Sequence, residues 1–206
     1  MRLVVGLGNP DERYSQTRHN VGWMVLAELR RRHDFGRPRS GFHSRLWSGS
    51  VGGQSVMLVE PQTYMNRSGL AVAELVAFYR PPVSELLAVL DDMALPPGRL
   101  RARSEGSPGG HNGLGDIVRA LGGWEVSRLR VGIGQAPPEM DWADYVLSGF
   151  SPQEQPVMEQ AIRRSADAVT DWIAQGITYV MDKYNQDPQT GSSPGQDGPG
   201  ENGKGK

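Results

Sequence analysis

Apolar and polar positions along the chain form blocks that predict strands and helices in turn. Residues 2–7 and 86–91 are short apolar runs of the length of buried strands, ended by turn-forming or acidic residues. Longer blocks repeat apolar residues at helical spacing, and residues 152–183 are predicted to form mainly one helix. The other predicted elements are helices at 20–32, 66–79 and 114–121 and strands at 44–50, 55–60, 99–103 and 128–134. This order predicts an α/β fold, with a mostly parallel or mixed sheet and helices on both faces.

A change of composition after Gln186 predicts the end of the folded domain. Residues 187–206 contain six glycines, three prolines and none of the residues that build a core. Such a segment cannot bury enough surface to offset the entropy lost on ordering. Because no linker divides residues 1–186, we expect them to form a single domain followed by a disordered tail at 187–206.

Composition excludes several classes of protein. The 206 residues include no cysteine, which rules out disulfides, a thiol nucleophile and cysteine-bearing zinc or iron–sulfur sites. No apolar run approaches the roughly 18 residues of a membrane-spanning helix. The N-terminal run breaks at glycine and proline too early for a signal peptide. We therefore expect a soluble, cytoplasmic protein.

The formal net charge of -1 hides an uneven distribution of charge. Residues 1–50 carry a charge of +5 and residues 99–134 a charge of +3, and the segments between and after them are acidic. Nearly all basic residues before the tail are arginine, which suits bidentate phosphate contacts, although genome composition explains this usage equally well. The distribution predicts a basic face on a neutral protein, so a nucleic-acid partner is compatible with the composition.

Six polar residues follow predicted strands or precede predicted helices. Asn9 follows the first strand, His19 precedes the first long helix and Asp91 ends a strand. In an open α/β sheet these positions share one edge, where ligands bind, so we expect the six side chains to converge. The remaining three are Asn66, His111 and Asn112.

Structural roles are open for some of these residues. Asn66 is a good helix N-cap, and Asn9 before Pro10 is ordinary turn chemistry. Because neighbouring side chains in a strand point to opposite faces, only one of Asp91 and Asp92 is expected to face a site.

The chemistry that remains is hydrolytic. The scattered histidines match no metal-ligand spacing, and the sequence has no G-x-S-x-G nucleophile motif. Gly6 and Gly8 suggest a dinucleotide fingerprint, but Asp11 occupies its third glycine position. A histidine held by a carboxylate acts as a general base on water, and asparagine amides donate to a developing oxyanion. This set suits hydrolysis of an ester or amide without metal, cofactor or covalent intermediate.

Four sequence blocks resemble the motifs of bacterial-type peptidyl-tRNA hydrolases, in the same order. They are residues 5–22 (VGLGNPDERYSQTRHNVG), 61–69 (PQTYMNRSG), 90–98 (LDDMALPPG) and 109–116 (GGHNGLGD), the last followed by 128–134 (RLRVGIG). The resemblance covers residues 1–186. It implies a single α/β domain with a twisted mixed sheet, and an enzyme that cleaves the ester between a peptide and the 3′ ribose of tRNA.

The resemblance also implies a role for each site residue. His19 would be the general base, Asp91 would accept its hydrogen bond, and Asn9 would recognise the peptide portion. The further implied contacts are Asn66 and Asn112 with the tRNA 3′ end and the water or oxyanion, Tyr14, Tyr64, Met65 and His111 along the cleft, and Arg103 and Arg130 with tRNA phosphates. The implied partner is peptidyl-tRNA, and the simplest expectation is a monomer without metal or membrane contact.

Two other functions and one structural question stay open at this point. The chain could be an RNA-binding relative that has lost hydrolysis, although all the implied catalytic residues are present, or a small-molecule ester or amide hydrolase with the same site. Residues 138–150 place Trp142, Tyr145 and Val146 at helical spacing. We expect this segment to pack in the ordinary way, with a helix covering the cleft as the alternative.

Overall fold

A computed structural model describes residues 1–186 as one seven-stranded sheet flanked by helices. The predicted tail, residues 187–206, lies outside the described residues. The strands are β1 (Arg2–Gly6), β2 (Arg39–Gly41), β3 (Ser44–Val51), β4 (Gln54–Pro61), β5 (Leu86–Asp92), β6 (Leu100–Arg103) and β7 (Ser127–Gly132). The helices are α1 (Val21–Arg32), α2 (Ser68–Tyr79), α3 (Asn112–Ala120), α4 (Trp142–Val146), α5 (Gln155–Gln175) and α6 (Ile177–Tyr184).

The sheet is parallel at its centre and antiparallel at both edges. Its order is β2-β3-β4-β1-β5-β7-β6, and β4, β1, β5 and β7 run in parallel. On one side β3 and β2 extend the sheet as antiparallel strands, and on the other β6 pairs antiparallel with β7. The prediction of a single α/β domain with a mixed sheet is confirmed.

Both faces of the sheet are buried under helices. Val4 of β1 belongs to one core with side chains of α1, α5 and α6, whereas Leu3 and Val5 belong to a second core with α2 and α3. This division follows from the alternation of side chains along a strand. Helices on both faces, as predicted, leave the carboxyl-terminal edge of the sheet for loops.

One of these loops is brought down onto the sheet by close backbone packing. A Cβ atom added to Gly22, near the start of α1, would lie 2.5 Å from the backbone nitrogen of Leu7 and 2.5 Å from the carbonyl oxygen of Val89. Only glycine permits this approach. The start of α1, and the residues just before it, therefore lie against the ends of β1 and β5.

Some predicted elements differ from the observed ones. The helix predicted over 152–183 is two helices, because Gly176, with a φ of 83°, ends α5 and lets the chain turn into α6. Strand β2 has three residues and was not predicted. Leu70 and Phe78, two apolar residues of α2, are exposed. Among residues 1–186, no helix is both long and apolar enough to cross a bilayer.

Candidate active site

A buried His–Asp pair lies at the carboxyl-terminal edge of the sheet. His19 is in a 3₁₀ turn (Arg18–Asn20) directly before α1, and Asp91 is the second-to-last residue of β5. The Nδ1 atom of His19 lies 2.8 Å from Oδ1 of Asp91. Within residues 1–186, Nε2 of His19 has no hydrogen-bond partner, and His19 lines two neighbouring cavities. The geometry leaves Nε2 available to a ligand.

His111 approaches the same carboxylate oxygen from a second side. Its Nε2 lies 3.1 Å from Oδ1 of Asp91, and its Nδ1 accepts a hydrogen bond from the backbone nitrogen of Leu114, capping α3. Because Nδ1 accepts, a neutral His111 must carry its proton on Nε2 and donate it to Asp91. His111 therefore anchors Asp91, a contact that the sequence did not predict.

The charge of Asp91 decides how His19 is protonated. Burial would raise the pKa of the Asp91 carboxyl, but the charges and hydrogen bonds of His19 and His111 lower that pKa well below its ordinary value. Asp91 is therefore ionised at neutral pH and only accepts hydrogen bonds. His19 must then donate from Nδ1, which leaves the basic lone pair on Nε2.

The same three residues are a possible set of ligands for a metal ion. One ligand atom from each of His19, Asp91 and His111 lies within 4.8 Å of the others. Nδ1 of His19 and Nε2 of His111 are both hydrogen-bonded to Asp91, so a bound cation would have to replace the protons of these two hydrogen bonds. The absence of a metal stays a prediction.

Asn9 is held with its amide group in a defined orientation. Its Oδ1 accepts a hydrogen bond of 2.9 Å from the backbone nitrogen of Met65, so its Nδ2 is the end left for a ligand. Asn20 fixes the backbone of Asn9 through two further hydrogen bonds, of 2.8 and 3.0 Å. Asn20 is fully buried and was not among the predicted site residues. The signal available in the sequence was its place directly after His19, at the start of a predicted helix.

Two cavities meet at His19 and together form the cleft. The Asp91 cavity, of about 410 Å³, lies on the side of β5 and of the loop before α3. The Asn9 cavity, of about 490 Å³, lies on the side of the loops after β1 and β4. Residues lining both are His19, Asn112, Trp142 and Val146.

The Asn9 cavity collects most of the predicted substrate-binding residues. They are Asn9, Tyr14, Tyr64, Met65, Asn66 and Asn112. The N-cap interpretation of Asn66 is wrong, because α2 begins only after a 3₁₀ turn (Met65–Arg67) and its N-cap is Arg67. The side chain of Asn66 is exposed to the cavity instead. Tyr64 donates a 3.0 Å hydrogen bond to Asp11.

Both carboxylates at the end of β5 line the Asp91 cavity, against the expectation that only one would. The cavity wraps around the end of the strand, where the alternation of side chains no longer separates them. Asp92 accepts a 2.9 Å hydrogen bond from the backbone nitrogen of Ala94 and forms an ion pair with Arg130, whose Nε lies 2.8 Å from its Oδ2. Only Asp91 contacts the histidines.

The outer strands carry an arginine face. Arg101 lies opposite Arg130, and Arg103 opposite Arg128, so all four lie on one face of the β6–β7 pair. Arg128 is buried there and donates a 2.8 Å hydrogen bond to the carbonyl of Gly106. Arg130 lines the Asp91 cavity, whereas Arg103 lies on the same face outside the cleft. Arg101 and Arg128 were not among the predicted site residues, although the alternation of basic residues over 99–103 indicated Arg101.

Helix α4 covers the cleft. Trp142 and Val146 line both cavities, and Trp142 is 51% exposed. Tyr145 packs in the core, with its hydroxyl donating a 2.6 Å hydrogen bond to the carbonyl of Ile133. The expectation of ordinary packing therefore describes Tyr145 and is wrong for Trp142. The five-residue helix therefore packs into the core with Tyr145 and borders the cleft with Trp142.

Sequence comparison with known proteins identifies the family. The family model described as peptidyl-tRNA hydrolase matches residues 3–192. The chain belongs to the peptidyl-tRNA hydrolase family. It is 49% identical to the peptidyl-tRNA hydrolase of Chloroflexus aggregans over 186 residues, 90% of this chain and 99% of that protein. The corresponding enzyme of Carboxydothermus hydrogenoformans is 42% identical over the same shares of the two chains.

Structural comparison places the fold in the same family. The crystal structure of peptidyl-tRNA hydrolase from Acinetobacter baumannii superimposes with a TM-score of 0.84 at 34% sequence identity, covering 90% of this chain and 94% of that one. The family predicted from the four motif blocks is confirmed.

Proposed function

We propose that this protein hydrolyses the ester bond between the peptide and the 3′ ribose of peptidyl-tRNA, releasing the peptide and the tRNA. The observation that carries the proposal is the buried His19–Asp91 pair, whose free Nε2 faces the junction of two cavities. Membership of the peptidyl-tRNA hydrolase family supports the substrate.

The geometry supports a general-base mechanism. Nε2 of His19 takes a proton from a water molecule as that water attacks the ester carbonyl, and Asp91 stabilises the imidazolium that forms. The tetrahedral intermediate then collapses, and His19 returns the proton to the 3′ oxygen of the leaving ribose. General-base catalysis of this kind contributes about 10²–10⁴ in rate.

Asparagine amides around His19 supply neutral hydrogen bonds. Nδ2 of Asn9, fixed by its contact with Met65, is directed at the peptide portion, where it donates to a carbonyl. Asn112, at the junction of the two cavities, stabilises the developing oxyanion and orients the water. Asn66 binds the substrate from the Asn9 cavity, and Tyr14, Tyr64, Met65 and His111 shape the cleft.

The arginine face favours tRNA over a small neutral ester. Arg103 and Arg130 share this face with Arg101 and Arg128, and the face lies beside the Asp91 cavity. Phosphate contacts predict that substrate affinity falls as salt rises, whereas a small neutral ester predicts almost no salt effect. We propose further that residues 1–186 form the catalytic domain, which acts in the cytoplasm as a monomer without a metal ion.

The test is release of peptide from an N-blocked aminoacyl-tRNA by the wild-type protein and by His19→Ala. We expect hydrolysis by the wild type, weakened at high salt, and a loss of roughly 10² or more in the variant. Tight tRNA binding without hydrolysis by the wild type would contradict the proposal in favour of a non-hydrolytic relative. Equal rates for the two proteins would contradict the role of His19 alone.

A further inference from the structure

The two halves of the cleft differ in chemistry. The Asn9 cavity presents side-chain amides, which match the carbonyl and N–H groups of a peptide. The Asp91 cavity has apolar walls from Leu90, Met93 and Val146 around the ion pair of Asp92 with Arg130. Because the scissile ester must lie at His19, the two sides of the substrate must extend into different cavities.

The arginines of β6 and β7 favour the Asp91 cavity for the nucleotide side, although Arg67 lines the Asn9 cavity. Arg130 lines this cavity, and its neighbours on the same face are Arg101, which is exposed, and Arg103, which is half-buried, whereas Arg128 is buried. A chain of phosphates lying along this face leads the 3′-terminal nucleoside into the Asp91 cavity. The flat face of its base then packs against the apolar walls of this cavity.

Trp142 is placed to contact that base. It lines the Asp91 cavity from α4, where it also borders the Asn9 cavity, and leaves half of its surface exposed, although tryptophan is usually well buried. The helix beneath it is held in place, because Tyr145 is hydrogen-bonded to Ile133 and the guanidinium of Arg18 lies 4.3 Å from the Tyr145 ring. An exposed indole on a supported helix is a platform for stacking.

We propose that Trp142 is a further substrate-binding residue that stacks on the 3′-terminal base of the tRNA in the Asp91 cavity. This inference rests on the proposed function, since it requires a tRNA 3′ end at His19. The indole recognises the flat face of a nucleobase, adenine in tRNA, and does not take part in proton transfer. Stacking of this kind strengthens binding by about 5- to 100-fold, as judged by alanine substitution.

The kinetic test compares Trp142→Ala and Trp142→Phe with Trp124→Ala, using N-blocked aminoacyl-tRNA. Trp124 is the matched control, because it is also exposed and lines neither cavity of the cleft. We expect the KM of Trp142→Ala to rise about tenfold with a smaller change in kcat, and the KM of Trp142→Phe to stay near the wild-type value. The wild-type KM in Trp142→Ala would overturn the proposal, and hydrolysis in that variant would still leave the proposed function intact.

A binding test needs no catalysis and separates the two sides of the substrate. The trinucleotide CCA should quench the tryptophan fluorescence of the wild type and of Trp124→Phe, and should leave that of Trp142→Phe unchanged. An N-acetylated dipeptide amide serves as the peptide probe. The assignment of the base to this cavity would be overturned if CCA quenched the wild type and Trp142→Phe equally. It would also be overturned if the peptide probe quenched the Trp142 fluorescence and CCA did not.

Discussion

The floor and the roof of the cleft are built in opposite ways. On the floor, His19, Asp91 and Asn9 are buried, and hydrogen bonds between different strand ends hold them. The roof is α4, a five-residue helix whose Trp142 is half exposed. The difference separates two tasks, since groups that move protons are fixed before substrate arrives and groups that contact the variable outer parts of the substrate stay accessible.

Arg18 joins floor and roof, beside a backbone bridge between Thr17 and Gly149. Arg18 immediately precedes His19, and its guanidinium donates two hydrogen bonds, of 2.9 and 2.8 Å, to Glu154 at the start of α5. The same group lies 4.3 Å from the ring of Tyr145 in α4 and 4.9 Å from that of Phe150. The turn that carries the histidine and the segment that covers it are therefore held together by this cation and by the backbone bridge.

The largest effect is expected on the floor, from Asp91→Asn. An amide carries no negative charge, so it stabilises the imidazolium of His19 far less than the carboxylate of Asp91 does. We expect kcat to fall by about 10² or more, measured with N-blocked aminoacyl-tRNA.

The neighbouring Asp92→Asn is the matched control for this substitution. Asp92 lines the same cavity but contacts Ala94 and Arg130, so its loss should leave kcat within about fivefold of wild type and act mainly on KM. Comparable losses of kcat in both variants would mean that the negative charge of the strand end matters and the contact with His19 does not.

The floor was more predictable from the sequence than the roof. Asn9, His19 and Asp91 stand next to strand and helix ends, and the edge of a parallel sheet brings such positions together whatever lies between them. The anchoring of Asp91 by His111 was not predictable, because it depends on a ring rotation fixed by the cap of α3. Asn20 was missed for a similar reason, since its role is set by a contact with the backbone of Asn9.

Short elements and turns limited the rest of the prediction. Helix α4 is too short for apolar periodicity to distinguish its core side from its cleft side, so the position of Trp142 could not be read from spacing. The break at Gly176 interrupts a stripe of apolar residues that continues on both sides of it. Glycine within such a stripe is compatible with a helix, and only its positive φ reveals the turn.

An intermediate effect is expected where floor meets roof, from Glu154→Gln. The hydrogen bonds from Arg18 lower the pKa of Glu154 from 4.5 to about 2. Glutamine keeps the shape and loses the charge, so we expect the free energy of unfolding at pH 7 to fall by about 1–2 kcal/mol. The value of kcat/KM should fall by no more than about tenfold, since no proton-transfer group is touched.

The pH dependence of this difference follows from the sign of the shift. A carboxyl whose pKa is lowered in the folded protein contributes its stabilisation above its unfolded pKa and loses it as pH falls through the folded value. The stability gap between wild type and Glu154→Gln should therefore be constant above pH 4.5 and close as pH falls towards 2. Denaturant unfolding at several pH values measures it.

Glu159→Gln is the control on the same helix. Its partner Arg163 lies 3.2 Å away, and both side chains are largely exposed, so this substitution should cost no more than about 0.5 kcal/mol. An equal loss of stability in Glu154→Gln and Glu159→Gln would show that the contact between floor and roof contributes no more than an ordinary surface ion pair.

The smallest effect is expected from residues that belong to neither floor nor roof. The last described residues still contribute contacts, because the side chain of Asn185 pairs with both backbone groups of Ala102 in β6, at 2.7 and 3.1 Å, and the carbonyl of Gln186 accepts from Arg99. Truncation after Gln186 keeps these contacts, so kcat/KM and the melting temperature should match those of the full chain.

Truncation after Tyr184 removes these contacts and frees an edge strand beside the arginine face, and we expect it to lower the free energy of unfolding by about 1–2 kcal/mol. A loss of activity in the protein truncated after Gln186 would assign a function to residues 187–206. Equal stability of the two truncated proteins would mean that the Asn185 contacts do not hold the edge of the sheet.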